Sequence, residues 1–323
     1  MFHRREVLRL VAGATAALQF PPRAFALDYP TKMVRVELTV AAGGTSDIIT
    51  RMTSRALEAR LGQTFLMENR PGAGGNLAAD VVYRSPPDGY TLLSINKGGV
   101  LANLLYDNLS FDFLRDFAPV AGMATSSLVL LMHPSVPVKT FPEFLAYAKA
   151  NPTKINYATP GISSDPHLCS ELLKMMTGIQ MAHVPYRGGA LALTDLLSGN
   201  VQVMFSNLPV AEYIRSGKLI GLGTTGLGRN LELPELPPMA NTVPGYEVDV
   251  WYAYVAHRNT PADIVEKLNR EMRTVLADPK VVDGLKPLNA APLLMTTAEL
   301  EKLFRAEVEK WGKVIKFAKI KPE

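Results

Sequence analysis

Two hydrophobic periods take turns along this chain. Residues 34–38 alternate apolar and polar side chains and are rich in β-branched residues, which predicts a strand. Residues 48–57 place apolar side chains at three- and four-residue steps, which predicts a helix. The same switch recurs downstream. Strands are predicted over 65–69, 90–95, 128–132, 155–158, 181–186, 201–205, 219–224 and 248–255. Helices are predicted from 76, from just after 99 to 106, over 140–150, 165–176 and 190–197, and in a tail at 261–277 and 297–318. Thr140 and Glu143 have capping-box spacing, with Pro142 inside the first turn. Strand and helix in alternation predict an α/β fold on mainly parallel sheet.

The punctuation between elements is as regular as the elements. Four polar, glycine-containing loops, at 42–46, 97–99, 159–164 and 187–189, each follow a predicted strand and precede a helix. In a parallel sheet those points lie at the carboxyl ends of the strands, where ligands bind. An ordinary βα turn needs glycine for chain geometry alone, so one such loop says little. In the first, Gly43 and Gly44 lead to Thr45, Ser46 and Asp47, with Ser46 placed to cap the helix. Glycine admits a close ligand, and a helix start offers unpaired amides and a positive dipole end, so this loop suits a carboxylate or a phosphate. Two loops come from the first third of the chain and two from its middle. Two sheets facing across a cleft would bring them together; one continuous sheet satisfies the same order.

Composition narrows the class. The chain has 323 residues, 47% of them hydrophobic and 20% charged, enough for one large or two medium domains with real cores. Of the formal net charge of +4, residues 1–26 carry +3 through Arg4, Arg5, Arg9, Arg23 and Glu6, and the rest +1. No dense Lys/Arg stripe with interleaved aromatics is present, so a nucleic-acid partner is not expected. The arginine pair, the largely apolar run over 7–20 and Ala24-Phe25-Ala26 read as a cleaved export signal over 1–26, of Sec or twin-arginine type. No later segment is long and apolar enough to span a bilayer, so the mature chain is expected to be exported and soluble. The one cysteine, Cys169, excludes an intrachain disulfide and a cysteine-based zinc site, and the five histidines lack close metal-ligand spacing. No metal or cofactor is expected.

The sequence is poor in catalytic patterns. Residues 71–75 lack the full dinucleotide fingerprint, and neither a Walker A pair nor a nucleophile elbow is present. Cys169 sits among Leu168, Leu172 and Leu173 and reads as a core thiol. Trp251, Tyr252 and Tyr254 read as core or hinge packing. The groups able to touch a ligand are backbone amides, hydroxyls and amide side chains, with Lys97 and Arg187, an inventory for anion recognition. An enzyme acting on a carboxylic acid would have to use Asp47, Lys97 or His167.

Several stretches, taken in order, resemble one family. They include Ala41-Ala42-Gly43-Gly44-Thr45-Ser46-Asp47, Glu68-Asn69-Arg70-Pro71-Gly72-Ala73-Gly74-Gly75, Pro87-Asp88-Gly89-Tyr90-Thr91-Leu92, Asp116-Phe117-Ala118-Pro119-Val120 and His183-Val184-Pro185-Tyr186-Arg187-Gly188. The chain resembles the Bug family of periplasmic solute receptors, the TctC-like binding component of tripartite tricarboxylate transporters. The resemblance implies a two-lobed periplasmic-binding-protein fold with two doubly wound sheets, closing on a carboxylate. It implies that the first glycine loop seats a carboxylate end with backbone groups and ordered waters, and that the 94–98 loop and the loop of Ser164 contribute from either side. Three positions depart from the usual pattern. Thr45 replaces a third glycine and two prolines of the first loop are lost, Ala42 standing where one falls; Lys97 stands where a small residue is common; Ser206 stands where many relatives carry Asp. A lysine gained and an acid lost favour a purely acidic ligand.

The expected protein is a monomeric, non-enzymatic periplasmic receptor for a small organic carboxylate, serving inner-membrane transporter subunits. An enzyme or a sensor for a signalling partner are the rival classes. Lobe one is expected over 27–122 and 252–323, lobe two over 123–251. The expected ligand contacts are Ala42, Gly43, Gly44, Thr45, Ser46 and Asp47, then Asn96, Lys97 and Gly98, then Ser163, Ser164, His167, Arg187 and Ser206.

Overall fold

A computed structural model describes residues 28–321 apart from 229 and 231, so the expected leader at 1–26 lies outside the described residues. Eleven strands among the described residues form two sheets. The first is ordered β11-β4-β10-β3-β1-β2, from β1 (Val34–Leu38), β2 (Phe65–Asn69), β3 (Thr91–Asn96), β4 (Phe117–Ser127), β10 (Asp249–His257) and β11 (Ala290–Pro292). The second is ordered β7-β6-β8-β5-β9, from β5 (Val129–Met132), β6 (Asn156–Thr159), β7 (Ala182–Pro185), β8 (Val203–Ser206) and β9 (Ile220–Thr224). The longer helices are α1 (Thr45–Leu61), α2 (Asn76–Tyr83), α3 (Phe141–Ala150), α4 (Asp165–Thr177), α5 (Gly189–Leu197), α6 (Ala262–Leu276), α7 (Pro279–Leu285) and α8 (Thr297–Ala318).

The sheets are mixed rather than mainly parallel. β1 runs parallel to β2 and β3, and β6 to β7 and β8. β4, β10 and β11 pair antiparallel in the first sheet, as do β5, β8 and β9 in the second. The reason lies in the connections. β4 and β10 pass the chain between sheets, and a strand arriving from the other sheet enters against the direction of the βα units. β11 was not expected: three residues at a sheet edge leave no periodic signal. Just past it, Leu293 packs closely on Gly122 of β4, where an added Cβ would lie 2.5 Å from the Leu293 carbonyl oxygen.

The two crossings between the sheets are tied by one hydroxyl. Leu128 N–H donates to Thr225 Oγ1 at 2.9 Å, and Thr225 Oγ1 donates to the Val248 carbonyl at 2.6 Å, with Thr225 fully buried. Buried polar groups must be satisfied in this way or they destabilise the fold. Apolar burial does the rest. Val34, Val36 and Leu38 of β1, and Ile264, Leu268, Met272 and Val275 on one stripe of α6, belong to one continuous core. α8 packs against β4 of the first sheet and against α4, the helix that follows β6 of the second. Thr140 and Glu143 form the predicted capping box on α3, and Thr296 with Glu299 forms a second on α8.

Candidate functional site

The carboxyl ends of β1, β3, β6 and β8 meet between the sheets and line an open cavity of about 250 Å³. One wall is Val40, Gly44, Thr45 and Ser46 from the loop after β1, with Asn96 at the end of β3. The facing wall is Pro160, Ser164, Asp165 and Pro166 at the start of α4, Gly189 at the start of α5, and residues 204–208 at the end of β8. Leu128, Val250 and Tyr252, on the crossings, form the back. A wider, more polar cleft of about 600 Å³ shares Pro160 with this cavity and is lined by Ala73, Gly74 and Tyr106 on one side and Ser163, Tyr186 and Arg187 on the other.

α1 is capped two residues earlier than expected, at Gly44 rather than Ser46. The N-cap is Gly44, with no side-chain cap, and the first intrahelical bond is Ile48 N–H to the Gly44 carbonyl. The amides of Thr45, Ser46 and Asp47 therefore have no acceptor within the helix, at the end where its dipole is positive. Asp47 is turned away from the cavity. Its Oδ2 accepts from Gly43 N–H at 3.0 Å, and its carboxylate accepts from Arg51 Nε at 2.9 and 3.0 Å and from Asn69 Nδ2 at 3.0 Å. Burial alone would raise its pKa; the bonds from Arg51, Gly43 and Asn69, with the charge of Arg51, outweigh this and hold it below the usual carboxylate range. Asp47 is thus a pin for the loop, and Ala42, Gly43 and Asp47 do not line the cavity.

Lys97 corrects the expectation most sharply. Its side chain is only 1% exposed and lies behind the cavity wall, not in it. Nζ donates to the Asp249 carbonyl at 2.9 Å, lies 3.3 Å from Asp165 Oδ1 and 3.7 Å from Glu307 Oε2, and sits 4.7 Å over the Trp311 ring. Burial would depress its pKa; the carboxylates of Asp165 and Glu307 outweigh burial and raise it. Two carboxylates share this one ammonium. Asp165, buried and near Glu307, is accordingly pushed above the ordinary range by burial despite Lys97. The lysine's charge is neutralised within the protein, so the case for a purely acidic ligand loses that premise. Gly98 is also off the wall; its N–H is bound by Asn96 Oδ1 at 3.1 Å.

His167 is buried and does not line the cavity either. Nδ1 accepts from Ser163 N–H at 3.0 Å, and the ring stacks on His183 at 4.0 Å between centroids. Burial first, then His183 and Lys174, push its pKa down to about 3, so it is neutral. Its part is to shape the loop in which Ser163 takes a left-handed φ of 64°. Ser163 and Arg187 line the outer cleft rather than the inner cavity. Gly44, Thr45, Ser46, Asn96, Ser164 and Ser206 lie on the inner wall. Residues that the sequence did not single out as contacts join them, chiefly Asp165, Asn207 and Tyr252. Asn207 Nδ2 donates to Tyr252 Oη at 3.3 Å, and Leu208 N–H donates to Ser206 Oγ. Asn207 follows Ser206 at a strand end, which is the one local signal that pointed to it.

Among the described residues no group of three or more His, Cys, Asp or Glu side chains is placed to hold a metal ion. Cys169 is buried, and burial pushes its thiol pKa up, away from reactivity.

A cleft between two mixed sheets, walled by strand-end loops, defines the chain as a two-lobed binding protein. Residues 49–320 match the tripartite tricarboxylate transporter family receptor (TctC), and the chain belongs to that family. It is 34% identical over 312 residues to the UPF0065 protein in the tcbD-tcbE intergenic region of Pseudomonas sp. (strain P51), covering 95% of this chain and 93% of that one. It is 31% identical over 307 residues to protein BugT of Bordetella pertussis (strain Tohama I / ATCC BAA-589 / NCTC 13251), covering 94% of each. Among solved structures it is similar to Rpa4515 of R. palustris with adipate, at TM-score 0.80 and 34% identity over 91% of this chain and 100% of that one. It is also similar to MatC from Rhodopseudomonas palustris with bound malate, at TM-score 0.76 and 30% identity over 89% and 100%.

Proposed function

We propose that this chain is a non-enzymatic receptor that binds a small organic carboxylate between its lobes and presents it to inner-membrane transporter subunits. The observation that carries the reading is the inner cavity. Amides without an acceptor in the helix at the start of α1 face the polar side chains of Ser164, Asp165, Ser206 and Asn207 across otherwise apolar walls, while Asp47, Lys97 and His167 are drawn off the wall into structural contacts. Relatives solved with adipate and malate support the same ligand class. The contacts we assign are Gly44, Thr45, Ser46, Asn96, Asp165, Ser206 and Asn207, with Ser163 and Arg187 at the outer cleft. The lobes divide at Leu128 and near Val248, where the chain passes between the sheets, a few residues from the boundaries at 122/123 and 251/252. The protein works as a monomer in the periplasm, reached through the 1–26 leader.

Mass spectrometry of the ligand that co-purifies, with thermal-shift screening of mono-, di- and aromatic carboxylates, tests this. A true ligand at a hundred times its dissociation constant adds about 2.7 kcal/mol of stability. Failure of every carboxylate to shift the transition, with none co-purifying, would remove the reading.

A further inference from the structure

The inner cavity is not uniformly a seat for anions. Its lobe-one wall presents donors: the first-turn amides of α1 and the Asn96 side chain, whose Oδ1 is taken by Gly98 N–H so that its amide N–H groups remain. Its lobe-two wall presents a carboxylate, Asp165. This side chain is held from behind. Oδ1 is buried, 3.3 Å from Lys97 Nζ, in an ion pair without a well-directed hydrogen bond. Lys97 is anchored in turn by the Asp249 carbonyl and Glu307. One oxygen is therefore directed at the lysine, and the side chain is still 11% exposed on the cavity side. Ser164, the N-cap residue beside it, donates its hydroxyl to the Gly161 carbonyl and does not cover Asp165.

Resting on the reading of this cavity as a carboxylate site, we infer that Asp165 is a specificity-determining residue that selects acids bearing an O–H or N–H donor beside the carboxylate over unsubstituted acids of the same length. A carboxylate ligand seated on α1 brings a second negative charge toward Asp165. An unsubstituted chain leaves the exposed Asp165 oxygen stripped of water and unpaired, which is costly for a buried acceptor. A hydroxyl or ammonium group on the ligand restores the bond. A site built to pair with such a group rejects the analogue that lacks it far more strongly than an apolar pocket rejects a methylene.

The test uses the whole mature chain, freed of co-purified ligand, and titration calorimetry with matched sets: succinate, malate and aspartate; glutarate, 2-hydroxyglutarate and glutamate; adipate alone as the longest. At the preferred length the hydroxy or amino acid should bind at least tenfold more tightly than the unsubstituted acid, and the two substituted arms tell whether the donor is O–H or N–H. Asp165→Asn should shrink that ratio severalfold. Because that variant leaves Lys97 with less counter-charge, Lys97→Met combined with Asp165→Asn serves as a second variant without the ion pair, and it too should lose the discrimination. Equal affinity for substituted and unsubstituted acids, or a ratio unchanged in a folded variant, overturns the role of Asp165 and leaves the carboxylate reading standing. Absence of binding by every acid in the sets overturns both.

Discussion

The two loops that face each other across the cleft are held by opposite chemistry. The loop after β1 is pinned by charge: Asp47 gathers Gly43 N–H, Arg51 and Asn69. The loop after β6 is shaped by neutral rings: His167 takes Ser163 N–H and stacks on His183, which stacks on Tyr157 at 4.9 Å and meets Thr159 Oγ1 at 2.7 Å. Both devices place a short polar loop at the carboxyl end of a strand. The difference teaches that an ionisable residue beside a binding loop is not thereby a ligand contact. Its first task here is to fix the backbone that makes the contact, and the two devices respond to different perturbations.

Lys97 is a buried ammonium that ties the start of α4, just after the second loop, to the first sheet and α8. Lys97→Met takes from Asp165 and Glu307, both largely buried, the ammonium they share, Glu307 keeping the Trp311 Nε1–H donor. Breaking one partner of such a cluster costs about 3 kcal/mol or more. Urea unfolding should show a loss of that size, and the pair Lys97→Met with Asp165→Asn should lose less than Lys97→Met alone. A single variant within about 0.5 kcal/mol of the parent, the range of an ordinary surface change, would mean the cluster contributes nothing.

This residue also marks where the sequence stops being readable. The strands, the glycine loops at their carboxyl ends and the capping box on α3 are written in local patterns, since a two-residue or three-to-four-residue period and a cap depend on near neighbours. Asp47 and Arg51 are likewise one helical turn apart. Whether Lys97 points at a ligand or into the protein depends on Asp165, Asp249 and Glu307, which come from three distant segments. His167 on α4 is drawn inward by His183 of β7, and Asp165 is readable as a helix start but not as a cavity wall. Loop positions follow from the chain's own periodicity; the direction a loop side chain takes follows from the partner it finds.

Removing the pin of the first loop is the next largest effect. Asp47→Ala takes the acceptor from Gly43 N–H and the charge partner from Arg51, while Asn69 keeps its bond to the Val40 carbonyl. Arg51 is partly exposed and can turn to water, so the loss is about 2 kcal/mol rather than that of a fully buried pair. Chemical denaturation should report this loss. Amide exchange should quicken over 41–51 while 159–167 keeps its protection; equal quickening of both loops would show that they are not held independently.

Acidification separates the loops in the other direction. His167 titrates at about 3 when folded and near its ordinary 6.5 when unfolded, because burial, His183 and Lys174 disfavour its charge. Between those values the unfolded chain takes up a proton that the folded chain refuses, so stability present above pH 6.5 falls as pH drops toward 3. By pH 5.5 the loss from this one ring is about 1.4 kcal/mol, and His183, also lowered chiefly by burial, acts with the same sign. Asp47 behaves differently: its folded pKa is depressed, so its contribution is complete above the unfolded carboxylate value and is lost only as pH falls through the lower folded one. Denaturant unfolding at pH 7.5 and 5.5 should therefore show a loss that His167→Gln reduces and Asp47→Ala leaves in place. A parent protein with equal stability at the two pH values, or a His167→Gln variant with the parent's full pH dependence, would mean that the buried ring is not what holds the second loop. The outcome bears on the cleft itself, since Ser163, which this histidine positions, lies on its outer wall.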